Sequence, residues 1–130
     1  MLILTIRSDA PEAKLGLFND LELVGEEEWL ADRTLADTIH QKIEALLKTH
    51  DKDWGDINGI VCFEGPGSFT GLRIGATVGN ALAYGLNAPI VGSRGGQWRK
   101  LGIAKLLSGR NDKVVVPHYG SLPHITPPKK

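Results

Sequence analysis

The amino-acid sequence predicts an α/β fold, a mixed five-stranded sheet with helices packed on it. Three observations carry that expectation. Short apolar, β-branched runs recur at residues 2–6, 14–18, 21–24, 59–63 and 89–92. The first three follow one another with no helix between them, which suits an antiparallel meander. Stretches with apolar residues at helical spacing separate the later runs, which permits parallel pairing through right-handed crossovers.

Leu2-Ile3-Leu4-Thr5-Ile6 is nearly all apolar, as a strand buried on both faces requires. Charge and Pro11 end it. Lys14-Leu15-Gly16-Leu17-Phe18 follows as the second strand, Asn19-Asp20 as a tight turn, and Leu21-Glu22-Leu23-Val24 as the returning strand. Residues 26–32 are acidic and read as a loop anchored by Trp29 and Leu30. Thr34 stands three residues before Asp37, the spacing of a capping box. Leu35, Ile39, Ile43, Leu46 and Leu47 then form one apolar stripe, which predicts a helix over 35–50. Gly59-Ile60-Val61-Cys62-Phe63 is the fourth strand. A Gly-rich loop at 65–71 leads into a helix over 71–86. Asn87 suits the position just past a helix end, and Pro89 bars continuation. Pro89-Ile90-Val91-Gly92 is the fifth strand, and the last helix covers 97–107 with Trp98, Leu101, Ala104 and Leu107 on or near one face. The order βββαβαβα is the ribonuclease-H-like arrangement. The expected lobe is 1–112; residues 113–130 hold four of the seven prolines and read as an extended tail.

Lys plus Arg and Asp plus Glu number 15 each among 130 residues, so the net charge is zero. That balance excludes a uniformly basic nucleic-acid binder and an acidic disordered chain. It also hides a split. Residues 1–58 hold 13 acids and 6 bases, whereas residues 59–130 hold 2 acids and 9 bases. The single cysteine excludes an intramolecular disulfide and a four-cysteine zinc site. No apolar run approaches the roughly 20 residues of a membrane span. The short apolar start lacks the basic segment that precedes a signal sequence. The expected location is cytoplasmic, with no membrane contact.

The run from Gly65 to Gly79 is the least ordinary part. Gly65-Pro66-Gly67 permits a backbone that most residues could not follow. Ser68 and Thr70 are good caps for a helix beginning near Gly71. That helix places Gly71, Gly75, Gly79 and Ala83 four residues apart, with Leu72 and Ala76 beside them. Each interior Gly costs about 1 kcal/mol against Ala, so side chains have been removed along one face. Three uses of that face stay open. It can pack on the domain's own sheet. It can form an interface to a partner helix through Gly71, Leu72, Gly75, Ala76, Gly79 and Ala83. Or the loop and helix N-terminus, with Arg73, can hold a phosphate, which would make the chain a small nucleotide-binding enzyme working through residues 65–71. It is not a P-loop, because no Gly-Lys-Ser/Thr ending supplies a lysine.

Gly65-Pro66-Gly67-Ser68-Phe69-Thr70-Gly71-Leu72-Arg73-Ile74-Gly75 resembles the signature of the TsaB (YeaZ) family. The resemblance extends to Ile3-Leu4-Thr5-Ile6, Phe18-Asn19-Asp20, Asp56-Ile57, Pro89-Ile90-Val91-Gly92-Ser93 and residues 123–130. It implies an actin-like (ASKHA) fold, of two lobes in the family, of which this chain would keep the first lobe and the tail. It also implies a noncatalytic dimerisation and scaffold subunit for the machinery that makes N6-threonylcarbamoyladenosine (t6A) in tRNA. The implied partner is a TsaD-like catalytic subunit, or a second copy in its absence, met through the helix after the motif. No cofactor or metal is implied, and tRNA contact is indirect or weak. Gly65, Pro66, Gly67, Ser68, Phe69, Thr70 and Arg73 are carried over as the family's motif. Where the family's first strand ends in Asp-Thr-Ser, this chain has Arg7, Ser8 and Asp9. An arginine cannot be a cation ligand, which points away from catalysis.

His40, His50, His118 and His124 share no metal-ligand spacing, and His40 reads as a solvent-side residue of the first helix. Cys62, inside an apolar strand, reads as a buried inert thiol. Ser68 is no nucleophile elbow, since Gly-x-Ser-x-Gly is unmatched. Phe69 reads equally as a plug for the core and as a knob for a partner. Arg94, Arg99, Lys100, Lys105, Arg110 and Lys113 make the last helix region basic. That is either a solvated face or a contact for an acidic surface or tRNA phosphates.

Overall fold

A computed structural model describes residues 1–118. His124 and the family-like stretch 123–130 lie outside those residues. Strand β1 (Leu2–Arg7) is buried along nearly its whole length, because it is the middle of the sheet. β2 (Glu12–Asn19) and β3 (Glu22–Leu30) return antiparallel on one side. β4 (Gly59–Phe63) and β5 (Ile90–Ser93) add in parallel on the other. The order is β3-β2-β1-β4-β5, the mixed five-stranded sheet expected from the sequence.

Helices α1 (Leu35–Thr49) and α2 (Phe69–Leu86) cover one face, and α3 (Trp98–Leu107) covers part of the other. Successive strand residues point to opposite faces, so β1 feeds two cores. Leu4 and Ile6 meet Ile39, Ile43 and Leu47 on the first face; Ile3 joins Val61, Val91, Trp98, Ile103 and Leu106 on the second. The apolar stripe predicted for the first helix is the buried stripe of α1, residue for residue.

Several local expectations are corrected. Residues 26–30 are strand, not an acidic loop. β3 is an edge strand with one face in water, so Glu26 and Glu28 are exposed there. Trp29 instead turns to α1, where its Nε1–H donates to Thr38 Oγ1 at 3.0 Å, and Glu27 pairs with Lys42 at 3.5 Å. Charges on an edge strand also discourage pairing with another chain. The hairpin turn is Asp20-Leu21, with Asp20 at φ 52°, a left-handed conformation that aspartate tolerates. Thr34 does not form the capping box, because its Oγ1–H donates backwards to the Ala31 carbonyl at 2.6 Å. α2 begins at Phe69, two residues before the predicted start, while Asn87 ends it at φ 54° as expected. The inner face of α3 is Trp98, Gly102, Ile103 and Leu106, whereas Leu101 and Leu107 are exposed. Gly102 decides this: a Cβ there would run into Val61, so the helix is rotated to lay its bare position on the sheet.

Residues 113–118 of the predicted tail lie against the lobe, and Val115 is 3% exposed within the first core. Just before them, Asp112 Oδ2 accepts the Gly92 N–H at 3.0 Å on the outer edge of β5. Burial opposes ionisation of Asp112, but the Gly92 amide, Arg110 and Lys105 outweigh it and hold the carboxyl below its usual range. A pKa lower in the folded than in the unfolded chain stabilises fully above the ordinary range, and that contribution fades as pH falls through the lowered value. Asp112→Ala is therefore expected to cost about 1 kcal/mol at neutral pH. Its deficit against the parent should shrink in urea unfolding as pH falls below the ordinary aspartate range.

Candidate functional site

The motif loop and α2 are held by the end of β1. Ser68 N–H donates to the Asp9 carbonyl at 3.2 Å, and the Ser68 carbonyl accepts Leu72 N–H at 3.0 Å. Ser68 Oγ caps the helix by accepting Gly71 N–H at 3.5 Å. Ser8 Oγ–H donates to the Gly71 carbonyl at 2.7 Å. Gly65 has φ +105°, and any side chain there would meet the His118 carbonyl. Gly67 is bare where the Asp9 side chain passes.

The glycine row of α2 faces this chain's own sheet. A Cβ on Gly71 would run into the Ser8 carbonyl, one on Gly75 into the Ser8 hydroxyl, and one on Gly79 into the Cys62 sulfur. Leu72, Gly75, Ala76, Gly79 and Ala83 are buried. This corrects the expectation that Gly71, Leu72, Gly75, Ala76, Gly79 and Ala83 present themselves to a partner. The physical reason is close packing of a helix backbone on β1 and β4, which only small residues allow. Cys62 lies beneath that contact. Burial, with Glu64 adding to it, pushes its thiol up to about 12, as an inert thiol requires.

The opposite side of α2 turns outward. Phe69 is 56% exposed and so is no core plug, Tyr84 is 91% exposed, and Arg73 and Thr77 lie in water between them. A cavity of about 400 Å³ opens beside this side, lined by Ala36 of α1 and by Phe69, Thr70, Arg73, Ile74, Thr77 and Val78 of α2. Thr77 escaped the sequence reading; its signal was the complement of the glycine period, since Phe69, Arg73, Thr77 and Tyr84 fall on the other side of the same helical wheel.

At the strand end, Arg7 Nε–H donates to Asp9 Oδ1 at 2.8 Å, and the guanidinium stacks 3.8 Å from the centre of the Phe63 ring. Position 7 thus carries a fixed, paired positive charge. Much of the basic region is also answered inside the lobe: Arg94 pairs with Glu64 at 3.1 Å, Arg99 with Glu26 at 3.0 Å, and Arg110 with Asp112 at 2.8 Å. Among the described residues no cluster of His, Cys, Asp or Glu could hold a metal ion, and no helix is long and apolar enough to cross a membrane. His40 is exposed and approaches Trp54, ring centres 6.2 Å apart.

The strand order, with two helices on one face and a third on the other, defines a lobe of the ribonuclease-H-like (ASKHA) class. YeaZ from Pseudomonas aeruginosa shares that fold, with a TM-score of 0.66 at 22% identity over 72% of this chain and 43% of that one. The family model described as "TsaD: tRNA N6-adenosine threonylcarbamoyltransferase" matches residues 29–120, and the chain belongs to that family as a TsaB (YeaZ) member. The tRNA threonylcarbamoyladenosine biosynthesis protein TsaB of Escherichia coli (strain K12) is 32% identical over 114 residues, 83% of this chain and 49% of that protein. A tRNA N6-adenosine threonylcarbamoyltransferase of Geotalea daltonii is 41% identical over 63 residues, 48% of this chain and 18% of that protein. The chain thus spans about half the length of the E. coli relative.

Proposed function

We propose that the chain is a noncatalytic partner subunit in t6A formation on tRNA, acting in the cytoplasm. It docks a TsaD-like catalytic subunit, or a second copy of itself when that subunit is absent, through the outward side of α2. The observation that carries this reading is the exposed row Phe69, Arg73, Thr77 and Tyr84 beside an apolar cavity, on a helix whose other side is already packed. An exposed aromatic beside an apolar recess is the form that interface anchors take. Membership of a family whose relatives are named for t6A biosynthesis supports the pathway. Arg7, paired with Asp9, supports the noncatalytic part, since it cannot bind a cation.

The nucleotide-binding alternative has less behind it. The Asp9 side chain stands against Gly67, so an anion cradled in the loop would meet a like charge. Titration of the lobe with ATP and magnesium tests this, and micromolar binding would restore that reading. The docking face is tested by Thr77→Arg and Tyr84→Glu, with size exclusion and titration against a TsaD-like subunit. Both variants should melt as the parent does. Association should weaken at least about 30-fold, the ~2 kcal/mol of an interface hot spot. Unchanged association in both would sink the assignment.

A further inference from the structure

Residues 111–118 are fastened to the lobe at three places, each on a different element. On β5, Asp112 N–H donates to the Ile90 carbonyl at 2.8 Å, Ile90 N–H donates to Asn111 Oδ1 at 3.1 Å, and Gly92 N–H donates to Asp112 Oδ2 at 3.0 Å. Lys105 Nζ donates to the Gly92 carbonyl at 2.9 Å. Side chains thereby close an edge that would otherwise offer free strand hydrogen bonds. On α2, Asn80 behaves as a strand partner would. Its Oδ1 accepts Val115 N–H at 2.8 Å, and its Nδ2–H donates to the Val115 carbonyl at 3.0 Å. Just ahead of the motif loop, His118 N–H donates to the Glu64 carbonyl at 2.6 Å.

Where α2 lies closest to the sheet its seat is a row of glycine and alanine, with Leu72, Ile74, Val78, Leu82 and Leu86 packed to either side. The row lets the backbone approach closely, and polar ties to neighbouring segments add fixed points along the helix axis. Ser8 pins the first turn through the Gly71 carbonyl. Asn80, more than two turns further on, pins the middle. We propose that residues 111–118 form a clamp that sets the axial position of α2, with Asn80 as its catch, and thereby govern how tightly the docking face engages its partner. This rests on the docking reading above. Asn80 is a positioning residue: it stands one turn from both Thr77 and Tyr84, but it is half-buried and its amide is engaged by Val115.

The test uses the full chain with Asn80→Asp and Asn80→Ala. The aspartate keeps the acceptor for Val115 N–H and turns the donor into an oxygen facing the Val115 carbonyl. Amide exchange at Val115 and His118 should quicken about ten-fold or more, while unfolding stays cooperative. Affinity for a TsaD-like subunit should fall at least about five-fold. Faster exchange with unchanged affinity would overturn the clamp and leave the docking face standing. Unchanged exchange in both variants would overturn Asn80 as the catch. A parent chain that bound neither a TsaD-like subunit nor itself would overturn the docking reading and this inference together.

Discussion

Gly75→Arg is expected to unfold the lobe rather than merely detach a partner. Gly75 is buried, and a Cβ there would collide with the Ser8 hydroxyl and come within 3.3 Å of Ser8 Cβ and 3.5 Å of Ile6 Cγ2. Ser8 cannot easily yield, since it is itself buried and its hydroxyl is engaged by the Gly71 carbonyl. The helix would have to lift, exposing Leu72, Ala76, Val78 and Ala83. Overpacking alone costs about 1–3 kcal/mol, and an unpaired buried guanidinium adds to it. A total of about 4 kcal/mol or more approaches the whole stability of a domain of this size. The expected result is a melting point lower by about 15 °C, or no cooperative transition at all. Gly75→Ala should be milder and partly rescued by Ser8→Ala, which removes the nearest atom. A Gly75→Arg variant with the parent's melting point would refute the packing of this face on β1.

Trp98→Ala should be the most costly truncation on the other face, about 3–5 kcal/mol. Trp98 is 6% exposed and meets Phe63 edge-on, ring centres 5.6 Å apart at 71°. Phe63 in turn carries the Arg7 guanidinium on its ring. Removing the indole opens a void beside Val91 and Ile103 and leaves Phe63 supported from one side only. Trp98→Phe, which keeps an aromatic partner, should lose less than half as much. Urea unfolding followed by circular dichroism would measure both. A loss under about 1 kcal/mol for the alanine variant would mean that α3 contributes little to the core.

What could be read locally and what could not follow one rule. The buried stripe of α1 was legible because five aliphatic residues share one side of a helical wheel whatever lies across from them. β1 and β4 were legible because unbroken apolar runs bounded by charge and Gly fit only a central strand. Residues 26–30 misled because three glutamates in a row resemble a loop, and only the pairing of Gly16 with Glu26 and Lys14 with Glu28 makes them a strand. The inner side of α3 misled because its apolar residues surround the helix. The choice fell to Gly102, whose value depends on Val61, some forty residues earlier.

The charge split has a similar history. It is visible in composition as an acidic first half and a basic second half, but folding sets Arg99 on Glu26 and brings Arg94 to Glu64. Part of the apparent basic surface is therefore internal pairing, of α3 with β3 through Arg99 and between the loops that follow β5 and β4 through Arg94.

By itself the sequence determined the order of elements, the mixed sheet, the α1 core stripe, the end of α2 at Asn87 and, through an eleven-residue motif, the family. It also established that something must lie close against Gly71, Gly75 and Gly79. Only the tertiary structure decided that this something is Ser8 and Cys62 of the same chain, which leaves Arg73, Thr77 and Tyr84 to face outward. The reason is physical. A missing side chain records that space is scarce on one side of a helix, but the identity of the neighbour depends on contacts between residues far apart in the chain.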